Sequence, residues 1–463
     1  MEDDPRERPA HAASHARPPR PVGTAMRALP PFLARLDPAK PENHKIIILT
    51  AALLSRVATS LIINLCTSWL RLPLFDASAL VESSTPVLRW DAFHFTNVAA
   101  RGGTPEWEHE LAWGFGLPWV SSTLAVALSS VTGRSISYTD LAVLGSWAAS
   151  VAGVLASLEL YELTCDLTKA TSFALLTSLL YCMPSSPPVV MYAPYTEPFF
   201  AFFAFHGMRS ALNNNLLRAT ADIVIAQLFR SSGVLLWAFP LWYKLAEPAL
   251  RSLVADIKAT RRFKLLGPTT AYLLCICLAV VSLPLCVLAV EYGLQRWGKL
   301  HAFCSSTRMR PWCMNGEWTH WTSYAFVQEH YWNVGFLRYW EPAQTPNFLI
   351  SAPVYALNFF YASTTIISGI KSYFGGPSAA FARPFLPFAL HTLGYSLILF
   401  VSAHVQIMLR QVSGLPVAYW GAAALLSGQF GDGGRFWGKL WVGWSITWGV
   451  VSCILWATFL PPA

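Results

Sequence analysis

The sequence predicts an all-α polytopic membrane protein, and three observations carry that prediction. Of 463 residues, 54% are hydrophobic and 13% charged, about half the ~25% charged fraction of soluble domains. Apolar runs recur at the roughly 20-residue length that lets a helix cross about 30 Å of hydrocarbon. Twenty Trp and 28 Phe supply interface anchors and packing mass. A soluble α-domain would have to hide all of these runs from water at once. The net charge of +8 does not mark a nucleic-acid binder, because the cations sit in the N-terminal tail and at the ends of apolar runs.

Residues 1–44, rich in Pro, Ala and Arg without apolar period, read as a disordered cytosolic tail. They hold no apolar core of a cleavable signal. The remainder, 45–463, reads as one transmembrane domain. Its first run, Ile46 to Leu70, follows Lys40 and Lys45 and is long enough to be a signal anchor. Eight Lys/Arg lie in the chain up to Lys45, whereas Arg71 to Glu110 carries three Lys/Arg against six Asp/Glu. That bias puts the N-terminus in the cytosol and the 71–112 loop in the lumen.

Further runs at 117–132, 138–160, 170–192, 199–213, 221–243, 266–290, 347–370, 384–409, 415–428 and 439–460 predict about ten spans. The 244–264 connection, with six Lys/Arg and two acids, reads as cytosolic, and the 292–346 loop then falls in the lumen. Strict alternation would place the turn 193–198 on the cytosolic side. A half-length or re-entrant segment restores the parity, and the stretch near Pro184 and Pro188 is one place for it. No internal repeat is visible, which disfavours a secondary transporter built from paired halves. Of nine Cys, five (Cys66, Cys275, Cys277, Cys286, Cys453) lie inside apolar runs as small hydrophobes. Cys304 and Cys313 flank a polar stretch and could pair if it is luminal; spacing alone leaves both states open.

Three constellations could carry chemistry. The first is Arg89-Trp90-Asp91 with His94-Phe95. Asp91 and His94, three apart, would share a helix face, and a carboxylate there can take a proton from a hydroxyl. The bland reading makes Arg89 and Asp91 solvated loop charges and Trp90 an interface marker. The second is Tyr195-Thr196-Glu197, where Glu197 either lines a cavity or merely caps the next helix, whose dipole suits an acid. Arg230, inside an apolar run, needs a partner such as Glu197 or a phosphate, since burying it costs about 2.5–3.5 kcal/mol on insertion scales. The third runs from Gln328 to Trp340. His330, Tyr331, Trp332 and Asn333 suit sugar stacking and isoprenoid packing, and Arg338 could grip a phosphate. An interfacial helix with an aromatic belt is the alternative.

These residues together resemble the PIG-V family. The resemblance rests on Arg89-Trp90-Asp91 with His94, on Tyr195-Thr196-Glu197, on Arg230-Ser231 with Gly233, and above all on the long run His330 to Trp340, followed by Pro346-Asn347-Phe348 and Ala352-Pro353. Gln406, Arg410, Pro416 and Tyr419-Trp420 fit its closing pattern, and the chain looks like a fungal member. Where members often carry a Phe-Phe-Pro-like segment after the first acidic loop, this chain reads Ala112 to Pro118.

The resemblance implies a GT-C type fold in the endoplasmic-reticulum membrane with a luminal active site. It implies a GPI mannosyltransferase that adds the second, α-1,6-linked mannose to the GPI glycolipid precursor from dolichyl-phosphate mannose, inverting the anomeric carbon. Asp91 would be the base, His94 its orienting partner, and Arg230 and Arg338 phosphate contacts. Arg89, Trp90, Glu197 and His330 to Asn333 would complete the substrate wall. No cofactor and no metal are implied, and no D-x-D run occurs. The expected partners are the two glycolipids and bilayer lipid, with room for a small membrane subunit and no nucleic acid. Another dolichyl-phosphate-mannose-dependent mannosyltransferase is the nearest alternative.

Overall fold

Apolar helices with punctuated ends account for the architecture. The computed structural model describes residues 37–74, 85–260, 303–304, 310–313, 323–374 and 382–461, with Leu274, Cys277 and Leu278. The tail 1–36, most of the run 266–290 and much of the loop 292–346 lie outside the described residues. Among those described, every regular element is helical. Five helices are long and apolar enough to cross a membrane: Pro41–Trp69, Tyr138–Thr168, Pro342–Phe374, Ala382–Ser402 and Gly431–Ala457. Thr171–Tyr181 and Pro416–Leu426 are shorter apolar helices. Their outer faces expose large apolar side chains such as Leu53, Leu54 and Leu61, as lipid contact requires.

Helix α1 (Pro41–Asn64) opens on a proline, whose fixed φ and missing N–H suit a first turn. It begins slightly before the expected domain start at residue 45. Helices α2 (Ala92–Ala100) and α3 (Gly116–Thr132) precede α4 (Tyr138–Thr168). A capping box starts α4: the Ser137 hydroxyl accepts from the Asp140 N–H at 3.1 Å, and the Asp140 carboxylate accepts the Ser137 N–H at 2.9 Å. Next come α5 (Thr171–Tyr181), α6 (Glu197–Leu212) and α7 (Leu216–Phe229). The later elements used below are α8 (Glu247–Thr260), α9 (Ser323–Trp332), α10 (Thr345–Phe374), α11 (Leu386–Ser402), α12 (Pro416–Leu426) and α13 (Gly431–Ala457).

The bundle has two distinguishable ends. At one, Lys45 on α1 meets Glu162 on α4 at 2.6 Å, and Arg209 near the end of α6 binds Glu159, Glu162 and Asp166. At the other, Tyr195 before α6 reaches Asp91 before α2, and Trp456 at the end of α13 donates to the Pro86 carbonyl. Helix α3 belongs wholly to this second end. It packs with Ala99 of α2 and with Leu141 and Gly145 in the first turns of α4, whereas Tyr161 and Glu162 of α4 meet His44 and Lys45 of α1. The run 117–132 is therefore the half-length segment, and the turn 193–198 lies beside Asp91. An apolar window of that length cannot by itself distinguish a crossing from a short buried helix. The Pro184–Tyr192 stretch is irregular as well, but it is part of an ascent from α5 to the turn.

Candidate active site

Asp91 immediately precedes α2, and Trp90 before it holds a left-handed φ of 52°. That conformation is uncommon for a residue with a side chain and costs on the order of 1–3 kcal/mol, to be met by surrounding contacts. The contacts are present. The Trp90 ring packs on Phe459 at 5.4 Å, and the Asp91 N–H donates to the Tyr195 hydroxyl at 3.2 Å. The turn thus aims the Asp91 carboxylate at the junction of α2, α6, α7 and the segment before α12.

There it joins a row of four charges. Arg410 donates from Nη1 to Asp91 Oδ2 at 3.0 Å and from Nε to Glu197 Oε1 at 2.9 Å. Arg230 Nη1 meets the same Glu197 oxygen at 2.6 Å. Two carboxylates thus balance two guanidiniums. Arg410 also lies over the Tyr195 ring, 5.3 Å from its centroid. The Glu197 side chain is 1% exposed and that of Asp91 20%. Asp91 Oδ1 has no hydrogen bond among the described residues, so one oxygen is anchored and the other is open to a substrate.

Glu197 opens α6, where the helix dipole suits an acid, and its buried carboxylate is also the counter-ion of Arg230 and Arg410. Arg230 has the partner that its burial demands. Arg410 was not singled out as a site residue in the sequence. It lies in a mostly apolar region, and the cost of an unpaired intramembrane cation was the available signal.

His94, one turn along α2, lies flat against Trp113 at 5.3 Å and edge-on to His109 at 5.0 Å. Burial lowers its pKa, with His109 adding to the effect and Asp91 and Glu110 opposing it. The imidazole is therefore neutral at neutral pH and can act by hydrogen bonding. Trp113 in turn meets Trp332 at 5.6 Å, and His109 meets Tyr331 at 5.7 Å. Glu108 accepts from the Tyr331 hydroxyl at 3.0 Å and from the Trp312 indole N–H. Trp312 adjoins Cys313, which is bonded to Cys304. The third constellation thereby reaches the site through Tyr331 and Trp332.

Other members of the predicted set stand apart. Arg89 is fully buried, donates to the Thr85 and Leu88 carbonyls at 3.1 and 2.8 Å, and lies over Phe459. It pins the loop that carries Asp91, and with no exposed surface it offers no face to a substrate. His330 is exposed and stacked on Phe326. Asn333 is exposed at a φ of 51°, ending α9 in the left-handed region where Asn is favoured. Arg338 is exposed and paired with Glu329 at 2.7 Å. Among the described residues no group of three or more His, Cys, Asp or Glu side chains could hold a metal ion.

The comparisons agree on family. The family described as mannosyltransferase (PIG-V) matches residues 44–463. A protein of Cryptococcus neoformans named GPI mannosyltransferase 2 is 31% identical over 444 residues, covering 90% of this chain and 98% of that one. A Cricetulus griseus protein named GPI alpha-1,6-mannosyltransferase 2 is 29% identical over 378 residues, covering 74% of this chain and 73% of that one. Among solved structures, the apo Archaeoglobus fulgidus oligosaccharyltransferase aligns with 88% of this chain at 13% identity and a TM-score of 0.42. This chain spans about half of it, 56%. With the family matching residues 44–463 and a relative 31% identical along 98% of its length, the chain belongs to the PIG-V mannosyltransferase family.

Proposed function

We propose that the protein transfers the second mannose of the GPI precursor, in α-1,6 linkage, from dolichyl-phosphate mannose, and that Asp91 is the base. The observation that carries this reading is the divided Asp91 carboxylate, with Oδ2 held by Arg410 at 3.0 Å and Oδ1 open. The names of the relatives support the acceptor and linkage. In the reaction, Asp91 Oδ1 takes the proton of the acceptor 6-hydroxyl as its oxygen attacks the anomeric carbon. The bond from that carbon to the phosphate oxygen breaks, and its electron pair leaves with the dolichyl phosphate. A β-linked donor then gives an α-linked product. General-base help of this kind is worth about 10²–10⁴-fold.

The bond from Arg410 to Oδ2 orients the Asp91 carboxylate. His94, neutral and stacked on Trp113, is placed to orient the carboxylate or the acceptor. Arg230 and Arg410, beside the base, are the donors placed to hydrogen-bond the departing phosphate, whereas Arg338 is exposed and pairs with Glu329 away from that row. A luminal site in the endoplasmic reticulum is supported by the charges at the opposite end, where Lys45, Lys169, Arg209, Lys371 and Arg435 all lie at helix ends. The test is to incubate membranes containing the protein with radiolabelled dolichyl-phosphate mannose and identify the labelled glycolipid. A dimannosyl GPI precursor, cleaved by an α-1,6-specific mannosidase, is expected. Label in a different acceptor, or none, overturns the assignment.

A further inference from the structure

Between α2 and α3 lies the short helical turn Glu108–Ala112, which sets one acid on either side of His109. Both acids are buried and hydrogen-bonded. Glu108 accepts from the Tyr331 hydroxyl at 3.0 Å and from the Trp312 indole N–H. Glu110 takes Arg101 Nη2 on both oxygens, at 2.5 and 2.6 Å, and the N–H groups of Glu106 and Trp107 at 2.7 and 3.0 Å. The turn is pinned on both sides of the imidazole, which fixes the place of that ring.

His109 itself is not consumed by the turn. Its ring is half-buried and lies edge-on to His94 at 5.0 Å and to Tyr331 at 5.7 Å. Among the described residues neither of its nitrogens has a hydrogen-bond partner, and neither is sealed from solvent. An imidazole can donate from one nitrogen and accept at the other. With His94, Trp113, Tyr331 and Trp332 it forms a continuous aromatic wall, successive rings standing 5.0–5.7 Å apart. Every ring of that wall is partly accessible, and it starts one turn along α2 from Asp91. Aromatic faces with a few fixed polar groups are the usual make-up of a ligand site.

Charge decides which part of the substrates fits beside it. The guanidinium of Arg410 is bonded to Asp91 Oδ2 and to Glu197, with Arg230 beyond, so the departing phosphate belongs on that side of the base. His109 stands instead between two carboxylates, which repel a phosphate. The donor mannose is tied to its phosphate and hence to the arginine side, which leaves the aromatic side to the acceptor sugar. A pyranose suits it, because its C–H face lies on the rings while its hydroxyls pair with the imidazole nitrogens. We propose that His109 is a substrate-binding residue that hydrogen-bonds a hydroxyl of the acceptor sugar. The proposal rests on the reaction and the base assigned above.

The experiment uses His109→Phe in the full-length protein in membranes, with dolichyl-phosphate mannose and the monomannosyl GPI glycolipid titrated separately beside the wild type. Phenylalanine keeps the ring contacts with His94 and Tyr331 and removes both nitrogens. The acceptor KM should rise roughly five- to thirtyfold, the effect of one lost hydrogen bond. Donor KM and kcat should stay within a few-fold, as for an interaction made equally in ground and transition states. His109→Asn or His109→Gln, each of which returns an amide nitrogen, should recover part of the acceptor KM. A purely structural role would lower the amount of active protein and leave KM alone. An unmoved acceptor KM, a donor KM that moves as much, or amide variants no better than phenylalanine would overturn the proposal. His109→Leu takes the place of the phenylalanine variant if that protein fails to accumulate. An inactive wild type in the same assay overturns the proposed reaction, whereas an active one beside an unmoved acceptor KM overturns only the role of His109.

Discussion

Replacing Glu197 by Gln would leave two guanidiniums sharing one carboxylate. The carboxylate that is lost sits 2.6 Å from Arg230 and 2.9 Å from Arg410, with 1% of its side chain exposed. At an effective dielectric near 20, each contact is worth about 6 kcal/mol of gross attraction. Desolvation of the ions offsets much of that, and breaking a buried pair from one side typically costs about 3–5 kcal/mol. Glu197→Gln should therefore lower stability by about 3–5 kcal/mol, far more than the roughly 0.5–2 kcal/mol expected of a lost cap. The double variant Glu197→Gln/Arg230→Gln restores one carboxylate to one guanidinium and should recover part of the loss. Thermal unfolding in detergent, followed by size-exclusion fluorescence for all four members of the cycle, reads both numbers. A single variant as stable as the wild type, or a double variant no more stable than the single, would refute the argument that this row is held by charge balance.

Other expectations follow from the same site. Asp91→Asn also leaves two guanidiniums to one carboxylate, but at a side chain that is 20% exposed, so it should cost less stability than Glu197→Gln while turnover per folded molecule falls about 10²–10⁴-fold, measured as mannose transfer in membranes; wild-type rates would move the base elsewhere. His94, whose folded pKa is held below the usual imidazole value, contributes stability that is present above about pH 6.5 and is lost as pH falls toward the depressed value, because the unfolded chain then binds more protons. His94→Gln should thus flatten the loss of thermal stability between pH 7 and pH 5.5, and an unchanged slope would count against a buried neutral imidazole. Glycosylation sequons engineered into 71–112 and into the turn 133–137 should both be used, whereas one in 244–264 should not; opposite results at the first two would restore α3 as a crossing.

How much of this was legible depended on whether the partner was local. The long apolar runs, the capping box at Ser137 and the need of Arg230 for an acid are all readable within one segment. Helix α3 was not, since an apolar run of its length is equally a short span and a helix lying against the top of α4. Arg410 was not, because its partners are 213 and 319 residues away in the chain. Composition also could not sort the run from His330 to Arg338, where Tyr331 and Trp332 touch His109 and Trp113 while His330 stacks on Phe326 and Arg338 pairs with Glu329.

The 319-residue separation of Asp91 and Arg410 also has a consequence for biogenesis. During synthesis Glu197 and Arg230 emerge close together and can neutralise each other as their helices enter the bilayer. Asp91 emerges earlier and stays without its cation until the last quarter of the chain is made. The nascent protein thus carries one surplus acid at the site for most of its translation, and no shortened product can close the ion row. Synthesis of the segment that carries Arg410 is therefore the step that sets the Asp91 carboxylate in place.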